Sequence, residues 1–251
     1  MNELAQYERW MVSGDRLAYS DSGSSDDLLI YDIGSDDSPL EPSLPWDKWQ
    51  LTPDGLFILY SQGRTIEVFN TAQFNAGPQR PVMSVDGIGA QIGCIKSKTR
   101  QMKPVIAVLD RRPDGLKLHM RYIELSDNSW PDVFEPQHIP FPEGYNPNLP
   151  SQALSCVLLL VERLSCIVVL LSLSQSPTLR NPTARARIHD ALDGSMIMQE
   201  DVDVDLSEIR MDGMGRILKR ASDETIERLS VSEERLRFHR EQQARALAQP
   251  Y

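Results

Sequence analysis

The feature of this chain that most constrains its fold is a strand–turn–strand pattern that returns along most of its length. The pattern is clearest in LTPDGLFILYSQGRTIEVFN, where Pro53 and Gly55 mark a turn ahead of an apolar run. Residues 57–60 form the first predicted strand, residues 61–64 a tight turn, and residues 65–69 the second strand. This segment is therefore predicted to be a β-hairpin.

Four other segments of the chain have the same plan. They pair residues 16–19 with 28–33, 104–109 with 116–125, 156–161 with 166–173, and 212–219 with 221–229. Five hairpins at a spacing of roughly 40–60 residues predict a mainly β, propeller-like array of blade units. Another all-β fold, a sandwich or a barrel, remains the alternative because it contains the same turns and alternating strands.

The clearest hairpin also carries residues that point to a family. The run from Thr52-Pro53-Asp54-Gly55 to Thr65-Ile66-Glu67-Val68-Phe69-Asn70 resembles a WD-repeat, and Ser222-Asp223-Glu224-Thr225-Ile226 and Ile30-Tyr31-Asp32 resemble parts of one. The chain contains no Trp-Asp dipeptide and no Gly-His pair, and Phe69-Asn70 stands where the first is expected. The resemblance implies a degenerate WD-repeat-like β-propeller, of the type also found behind fungal F-box domains.

One segment is apolar enough to raise the question of a membrane span. Residues 153–173 read ALSCVLLLVERLSCIVVLLSL, with Glu162 and Arg163 at the centre. Each of these charges costs roughly 2.5–3.5 kcal/mol at the middle of a bilayer. Two apolar runs rich in β-branched residues and separated by a charged pair predict two core strands, with a buried helix as the alternative.

Two other stretches of the chain differ from the hairpins in composition. Six prolines between Pro131 and Pro150 predict a long extended surface connection. Beyond Val231, Ser230 and Glu233 fit a capping box, and residues 233–248 consist largely of good helix formers. We therefore predict a propeller-like domain over residues 1–231 and a C-terminal helix over residues 232–251. The predicted helix has a thin apolar stripe of Leu236, Ala244 and Leu247.

Charge and cysteine content narrow the classes of partner. The chain has 26 basic and 36 acidic residues and a formal net charge of −10, which argues against nucleic acid and an anionic membrane surface as partners. Three cysteines fit a reducing compartment, and the first ten residues lack the features of a signal peptide. We expect a cytoplasmic protein, with the nucleus as the alternative.

Motifs for metal and nucleotide binding are incomplete. The three cysteines and four histidines lack metal-ligand spacing. The run Asp201-Val202-Asp203-Val204-Asp205 opens like a calcium loop, but Leu206 replaces the required glycine, so we predict an edge strand. Residues 87–93 are rich in glycine, but a nucleotide site needs a strand before them and a helix after them. Pro81 shortens the preceding strand and Pro104 limits any following helix, so we predict a flexible loop.

The remaining candidates for chemistry are also weak. Lys96, Lys98, Arg100 and Lys103 form a basic cluster that we interpret as a solubilising face. The chain has no G-x-S-x-G sequence of the kind that carries a catalytic serine. The run Lys219-Arg220-Ala221-Ser222 resembles a basophilic kinase site, but so short a match is common by chance. We therefore predict no catalytic, metal-binding or cofactor-binding residues, no cofactor, and no small-molecule ligand.

These observations favour a non-enzymatic protein–protein interaction domain, a scaffold or adaptor whose partners are other proteins. One alternative is the substrate-receptor part of an F-box-type ubiquitin ligase, which the resemblance implies. The other is a carbohydrate-binding propeller lectin, which Tyr122 and Trp130 near turn sequences suggest.

Overall fold

The structure is a computed structural model of the 251-residue chain. It describes residues 8–13, 15–21, 25–34, 49–52, 54–62, 64–74, 80–97, 99, 101–124, 130–143, 145–146, 152–175, 183–203, 206, 209–211, 217–220, 226–229 and 233–248. Most of these residues lie in five β-sheets, and one α-helix, α1 (Glu233–Ala248), follows them. The chain is a mainly β, propeller-like array with a C-terminal helix, as the sequence predicts.

Each sheet is a meander in which strands that follow one another in the chain are neighbours. The first two sheets contain β1 (Glu8–Ser13), β2 (Arg16–Asp21) and β3 (Ser25–Asp32), then β4 (Trp49–Leu51), β5 (Phe57–Gln62), β6 (Thr65–Asn70) and β7 (Met83–Asp86). The third contains β8 (Gly89–Lys96), β9 (Met102–Arg112), β10 (Gly115–Tyr122) and β11 (Gln137–Pro140). The last two contain β12 (Gln152–Val161), β13 (Cys166–Gln175), β14 (Thr183–Asp190) and β15 (Met196–Asp203), then β16 (Ile209–Met211), β17 (Ile217–Arg220) and β18 (Ile226–Leu229).

The chain divides into two compact units. One comprises Met1–Arg111 and His119–Asp132, and the other Arg112–Leu118 and Val133–Tyr251. In the first unit, one buried cluster lies between the first and second sheets and another between the second and third. In the second unit, the fourth sheet packs against Leu206 and Ile209.

The second sheet shows why apolar and polar residues do not simply alternate along the strands of this sequence. Val68 of β6 belongs to one buried cluster, whereas its neighbour Phe69 belongs to the other. Successive side chains of a strand point to opposite faces, so both faces of this sheet are covered. A strand that is buried on both faces is apolar throughout rather than at every second position.

The same arrangement explains residues 153–173. Strands β12 and β13 pair antiparallel from Gln152↔Gln175 to Val161↔Cys166. The charged pair of this segment, Glu162 and Arg163, lies in a single turn of 3-10 helix between the two strands. The prediction of two core strands is confirmed. Within the part of the chain that the structure describes, no helix combines the length and apolar character that a bilayer span needs.

Two predicted loops contain strands. Residues 87–93, predicted as a flexible loop, overlap β8, whose Ile92, Cys94 and Ile95 are buried. The proline-rich connection contains β11, and its Phe134 and Ile139 are also buried. The first prediction is wrong, and the second is wrong at β11, because tertiary packing overrides the local preference of glycine and proline.

The helix α1 begins and ends where the sequence predicts. Arg240 of this helix donates a hydrogen bond to Asp190 of the fourth sheet. The predicted cap Ser230 and the side chains of Leu236, Ala244 and Leu247 lie outside the part of the chain that the structure describes.

Candidate functional site

In the first unit, a polar network around Arg16 joins the first sheet to the second. Arg16 opens β2 and lies directly across from Asp32 at the end of β3. Its Nε donates to Asp32 Oδ1 at 2.7 Å, and its Nη1 donates to the carbonyl oxygen of Gly55 at 3.1 Å and to Thr71 Oγ1. One guanidinium therefore bonds to a strand of one sheet and to two loops of the next.

The loop that receives Arg16 is held rigidly by its own side chains. Asp54 Oδ1 accepts a hydrogen bond from the backbone N–H of Leu56 at 3.1 Å, and Thr52 Oγ1 accepts one from Phe57 N–H at 3.0 Å. Gly55 has a φ of +70°, which favours glycine. The Thr-Pro-Asp-Gly sequence thus fixes the position of the carbonyl that Arg16 contacts.

Three large apolar residues that are chain neighbours of members of this network are exposed. Tyr31 and Ile33 flank Asp32 and are 37% and 55% exposed, and Leu56 follows Gly55 and is 46% exposed. We call these three residues the Ile33–Leu56 patch. The backbone of Ile33 is itself fixed, because its N–H donates to the Asp15 carbonyl oxygen at 2.6 Å.

The surface around the patch is acidic. Asp15, Asp32 and Asp54 are all exposed. The one cation of the network, Arg16, is mostly buried and is neutralised by Asp32. The patch therefore combines apolar side chains with an excess of negative charge.

In the second unit, two basic side chains are buried on the same face of β14. Arg187 and His189 are 8% and 3% exposed, and neither Arg187 Nε nor His189 Nε2 has a hydrogen-bond partner among the described residues. Burial lowers the pKa of the Arg187 guanidinium, and nearby Arg185 lowers it further. Burial likewise lowers the pKa of the His189 imidazole.

The cysteines of the fourth sheet are packing residues with weakly acidic thiols. Burial raises the pKa of Cys156 to about 11 and that of Cys166 to about 12. For Cys166, the nearby Arg240 acts in the opposite direction and Asp190 acts in the same direction, each by less than burial does. Such thiols are poor nucleophiles at neutral pH.

The structure also brings together a serine, a histidine and an aspartate that sequence reasoning missed. Ser195 Oγ donates to Asp193 Oδ1 at 2.6 Å and lies 3.2 Å from Nε2 of His239 on α1. The hydroxyl can donate to only one of these partners; when it donates to the Asp193 carboxylate, His239 Nε2 donates to the serine and does not act as its base. No local sequence signal connects residues 44 positions apart.

The predicted edge strand is β15, and its acidic residue Asp201 forms an ion pair. Arg185 Nε lies 2.9 Å from Asp201 Oδ1, and this hydrogen bond lowers the pKa of the Asp201 carboxyl. Val204 and Asp205, the end of the calcium-like run, lie outside the part of the chain that the structure describes.

The basic cluster and the aromatic residues of the lectin alternative lie close together. Lys103 Nζ is 5.0 Å from the centre of the Tyr122 ring and 3.6 Å from Glu124 Oε1. Trp130 packs against the cluster between the second and third sheets. Lys98, Arg100 and Ser222 lie outside the described residues.

Comparison with known proteins gives structural neighbours only. No family model matches the sequence, and no curated protein matches it. The chain is similar to Hsv2 from Kluyvelomyces marxianus, at 13% identity and a TM-score of 0.47 over 91% of this chain and 64% of that chain. It therefore spans less than two thirds of the Hsv2 chain.

Two further solved structures have similar sheets. The WD40 domain of SCAP from fission yeast is 8% identical, with a TM-score of 0.37 over 91% of this chain and 70% of that one. The endo-arabinase from Bacteroides thetaiotaomicron VPI-5482 is 8% identical, with a TM-score of 0.45 over 90% of this chain and 94% of that one.

These neighbours correct one prediction. The sequence predicts a non-enzymatic chain, and that prediction is wrong as stated: the solved structures with similar sheets include an enzyme, the endo-arabinase, so a fold of this kind does not exclude catalysis. A likeness at this level of identity describes the fold and assigns neither catalysis nor binding to this chain.

Proposed function

We propose that this chain is a protein-binding domain and that the Ile33–Leu56 patch binds a partner segment with apolar and basic side chains. The observation that carries this proposal is the exposure of three large apolar residues that are chain neighbours of Asp32 and Gly55 in the Arg16 network. Single exposed apolar residues are normal on a protein surface. Three beside members of one network favour an interaction site.

Rigidity of the patch favours affinity. Binding a partner costs free energy when loops must be ordered. Here Leu56 follows a turn that Asp54 and Thr52 fix, and Ile33 is held by the Asp15 carbonyl. The ordering cost is therefore already met in the folded chain.

The charge around the patch defines the chemistry of the partner. Asp15, Asp32 and Asp54 are exposed beside it, and the sequence from Asp21 to Glu41 contains seven acidic residues and no basic one. Complementary charge speeds encounter and selects against acidic partners. A segment with Leu, Ile or aromatic side chains next to Lys or Arg fits this surface.

The narrower roles remain predictions. A scaffold or adaptor, the substrate-receptor part of an F-box-type ligase, and a cytoplasmic or nuclear location are all compatible with a protein-binding surface. The lectin alternative has less support, because Lys103 covers one face of Tyr122 and Trp130 packs against the core. We likewise retain the division into residues 1–231 and 232–251 as a proposal.

Peptide selection on the full chain tests this function. Two display libraries share the same apolar residues and differ only in flanking Lys or Glu. The basic library should yield binders that lose at least about tenfold in affinity, or roughly 1.4 kcal/mol, on I33S/L56S. The control M102S removes an apolar side chain of similar exposure from β9 and should bind normally. Binders drawn equally from both libraries, or unaffected by I33S/L56S, would refute the proposal.

A further inference from the structure

We infer that one end of the fourth sheet carries a socket for an arginine side chain. Its acceptors are the Asp190 carboxylate and the carbonyl oxygens of Leu164 and Ser165, and we call these three groups the guanidinium socket. In this structure Arg240 of α1 occupies the socket. An arginine of a partner polypeptide takes its place when α1 leaves.

The geometry of the socket matches the fork of a guanidinium. Arg240 Nε donates to Asp190 Oδ2 at 2.6 Å. Its Nη2 donates to the carbonyl oxygens of Leu164 at 2.9 Å and Ser165 at 3.0 Å. Three acceptors thus surround one planar group, whereas the ammonium of a lysine is a compact point charge without this fork.

The socket is built by the sheet itself and not by the helix. Asp190 Oδ1 accepts a hydrogen bond from Leu192 N–H at 2.8 Å, which leaves Oδ2 directed at the arginine. The Ala191 N–H donates to the Ser165 carbonyl at 2.9 Å and so ties together the two loops that supply the acceptors. Ser165 has a φ of +49°, a left-handed conformation that is uncommon outside glycine.

Burial makes a cation necessary at this position. The Asp190 side chain is only 3% exposed, whereas that of Arg240 is 38% exposed. A buried carboxylate without a partner is strongly unfavourable, so the socket retains its need for a cation when α1 is absent. Because the occupant is half-exposed, a competing arginine can approach from solvent.

The described contacts of α1 are of a kind that a competing peptide can reproduce. His239 and Arg240 are half-buried, and both bond to loops of the fourth sheet. The other side chains of α1 that the structure describes are exposed, and they are Glu234, Arg237, Phe238, Glu241, Gln242 and Arg245. A helix of 16 residues is marginal alone, so α1 can exchange with a competing segment.

Chemical rescue of the full-length R240A variant tests the socket. R240A leaves Asp190 unpaired, and millimolar ethylguanidinium should raise its thermal midpoint by roughly 3–5 °C in a saturable manner. Ethylammonium at the same concentration should have a much smaller effect. The matched control R237A removes an exposed arginine one turn earlier and should not respond to either salt. Equal effects of the two salts on R240A would overturn the inference.

The second arm tests an arginine supplied in trans. A synthetic peptide of residues 233–248 should bind R240A at least about tenfold more tightly than the same peptide with alanine at position 240. The double variant D190N/R240A, which lacks the carboxylate, should not distinguish the two peptides. Equal binding of both peptides to R240A would overturn the inference.

Failure of R240A to fold would still give a result. Refolding yield would then be measured in ethylguanidinium and in ethylammonium at equal concentration. The socket predicts soluble protein in the first salt only, and insolubility in both would overturn it.

Discussion

The imidazole of His189 donates a hydrogen bond from Nδ1 to the carbonyl oxygen of Gly194, which lies 2.9 Å away. A carbonyl only accepts, so this bond fixes the tautomer of the ring. The opposite atom, Nε2, is buried and has no partner among the described residues. Protonation of His189 therefore places a charge and an unsatisfied N–H in the interior, and burial lowers its pKa for this reason.

The lowered pKa of His189 predicts that acid destabilises the fold. Burial and the charge of Arg187 lower this pKa, and the bond to Gly194 raises it by a smaller amount. The unfolded chain, with a histidine pKa near 6.5, binds more protons than the folded chain just below that pH. Stability should fall as the pH drops from about 6.5 towards the folded-state pKa and level off below it. Urea denaturation between about pH 8 and pH 5 measures this slope.

The variant H189N isolates this histidine from the carboxylates that titrate at lower pH. Asparagine keeps a donor for the Gly194 carbonyl and has no titrating group. Between about pH 7 and pH 5.5 its stability should fall less than that of the wild type. Identical slopes for the two proteins would show that His189 is not the group responsible.

Gly194 should tolerate no larger residue. Its φ is +76°, and a Cβ atom at this position would lie 2.5 Å from Cδ2 of Phe134. Gly34 has a similar φ of +86° but open space around it, so G34A measures the backbone cost alone. We expect G34A to lose about 1 kcal/mol and G194A to lose roughly 1–3 kcal/mol more, both measured by urea denaturation. Equal losses would mean that Phe134 does not pack on Gly194 as described.

A charged side chain should destabilise the second sheet severely at the buried positions of β6, and much less at the exposed positions of the same strand. Val68 is fully buried between the second and third sheets, whereas Thr65 on the same strand is exposed. V68D should cost roughly 3–5 kcal/mol because the carboxylate has no partner there. T65D should cost less than about 1 kcal/mol. Similar melting temperatures for the two variants would contradict the placement of β6 in the core.

Removal of Arg16 should weaken both the fold and the patch. R16A leaves the Gly55 carbonyl and the Thr71 hydroxyl without their cation, and we expect a loss of roughly 1–3 kcal/mol in the free energy of unfolding. The control R64A removes an exposed arginine from the turn before β6 and should be nearly neutral. Peptides selected on the wild-type chain should bind R16A more weakly. Unchanged binding would show that the Arg16 network does not support the Ile33–Leu56 patch.

Local sequence was sufficient to predict the hairpins of this fold. Residues 57–69 carry their own turn and two apolar runs, and the structure places β5 and β6 there. Edge strands were harder to predict. Strand β4 has three residues and β7 has four, too few for periodicity to be recognised, and β8 contains two glycines. These strands form because each can pair with a neighbouring strand of its sheet.

The sites were largely invisible in the sequence because they depend on distant pairs. Arg240 and Asp190 are 50 residues apart, and Arg16 and Thr71 are 55 apart. Only the Thr-Pro-Asp-Gly turn, which supplies one carbonyl to the Arg16 network, had a local signal. The exposure of Ile33 and Leu56 could not be predicted either, because apolar residues next to strands are more often buried.

Photo-crosslinking is the most direct test of protein binding through the Ile33–Leu56 patch. A benzoylphenylalanine at position 56 should crosslink to a selected basic, apolar peptide, and the same group at the exposed position 102 should not. The crosslink from position 56 should disappear when Ile33 is changed to aspartate while the thermal midpoint is unchanged. Equal crosslinking from positions 56 and 102, or a crosslink that survives I33D, would contradict binding at this patch.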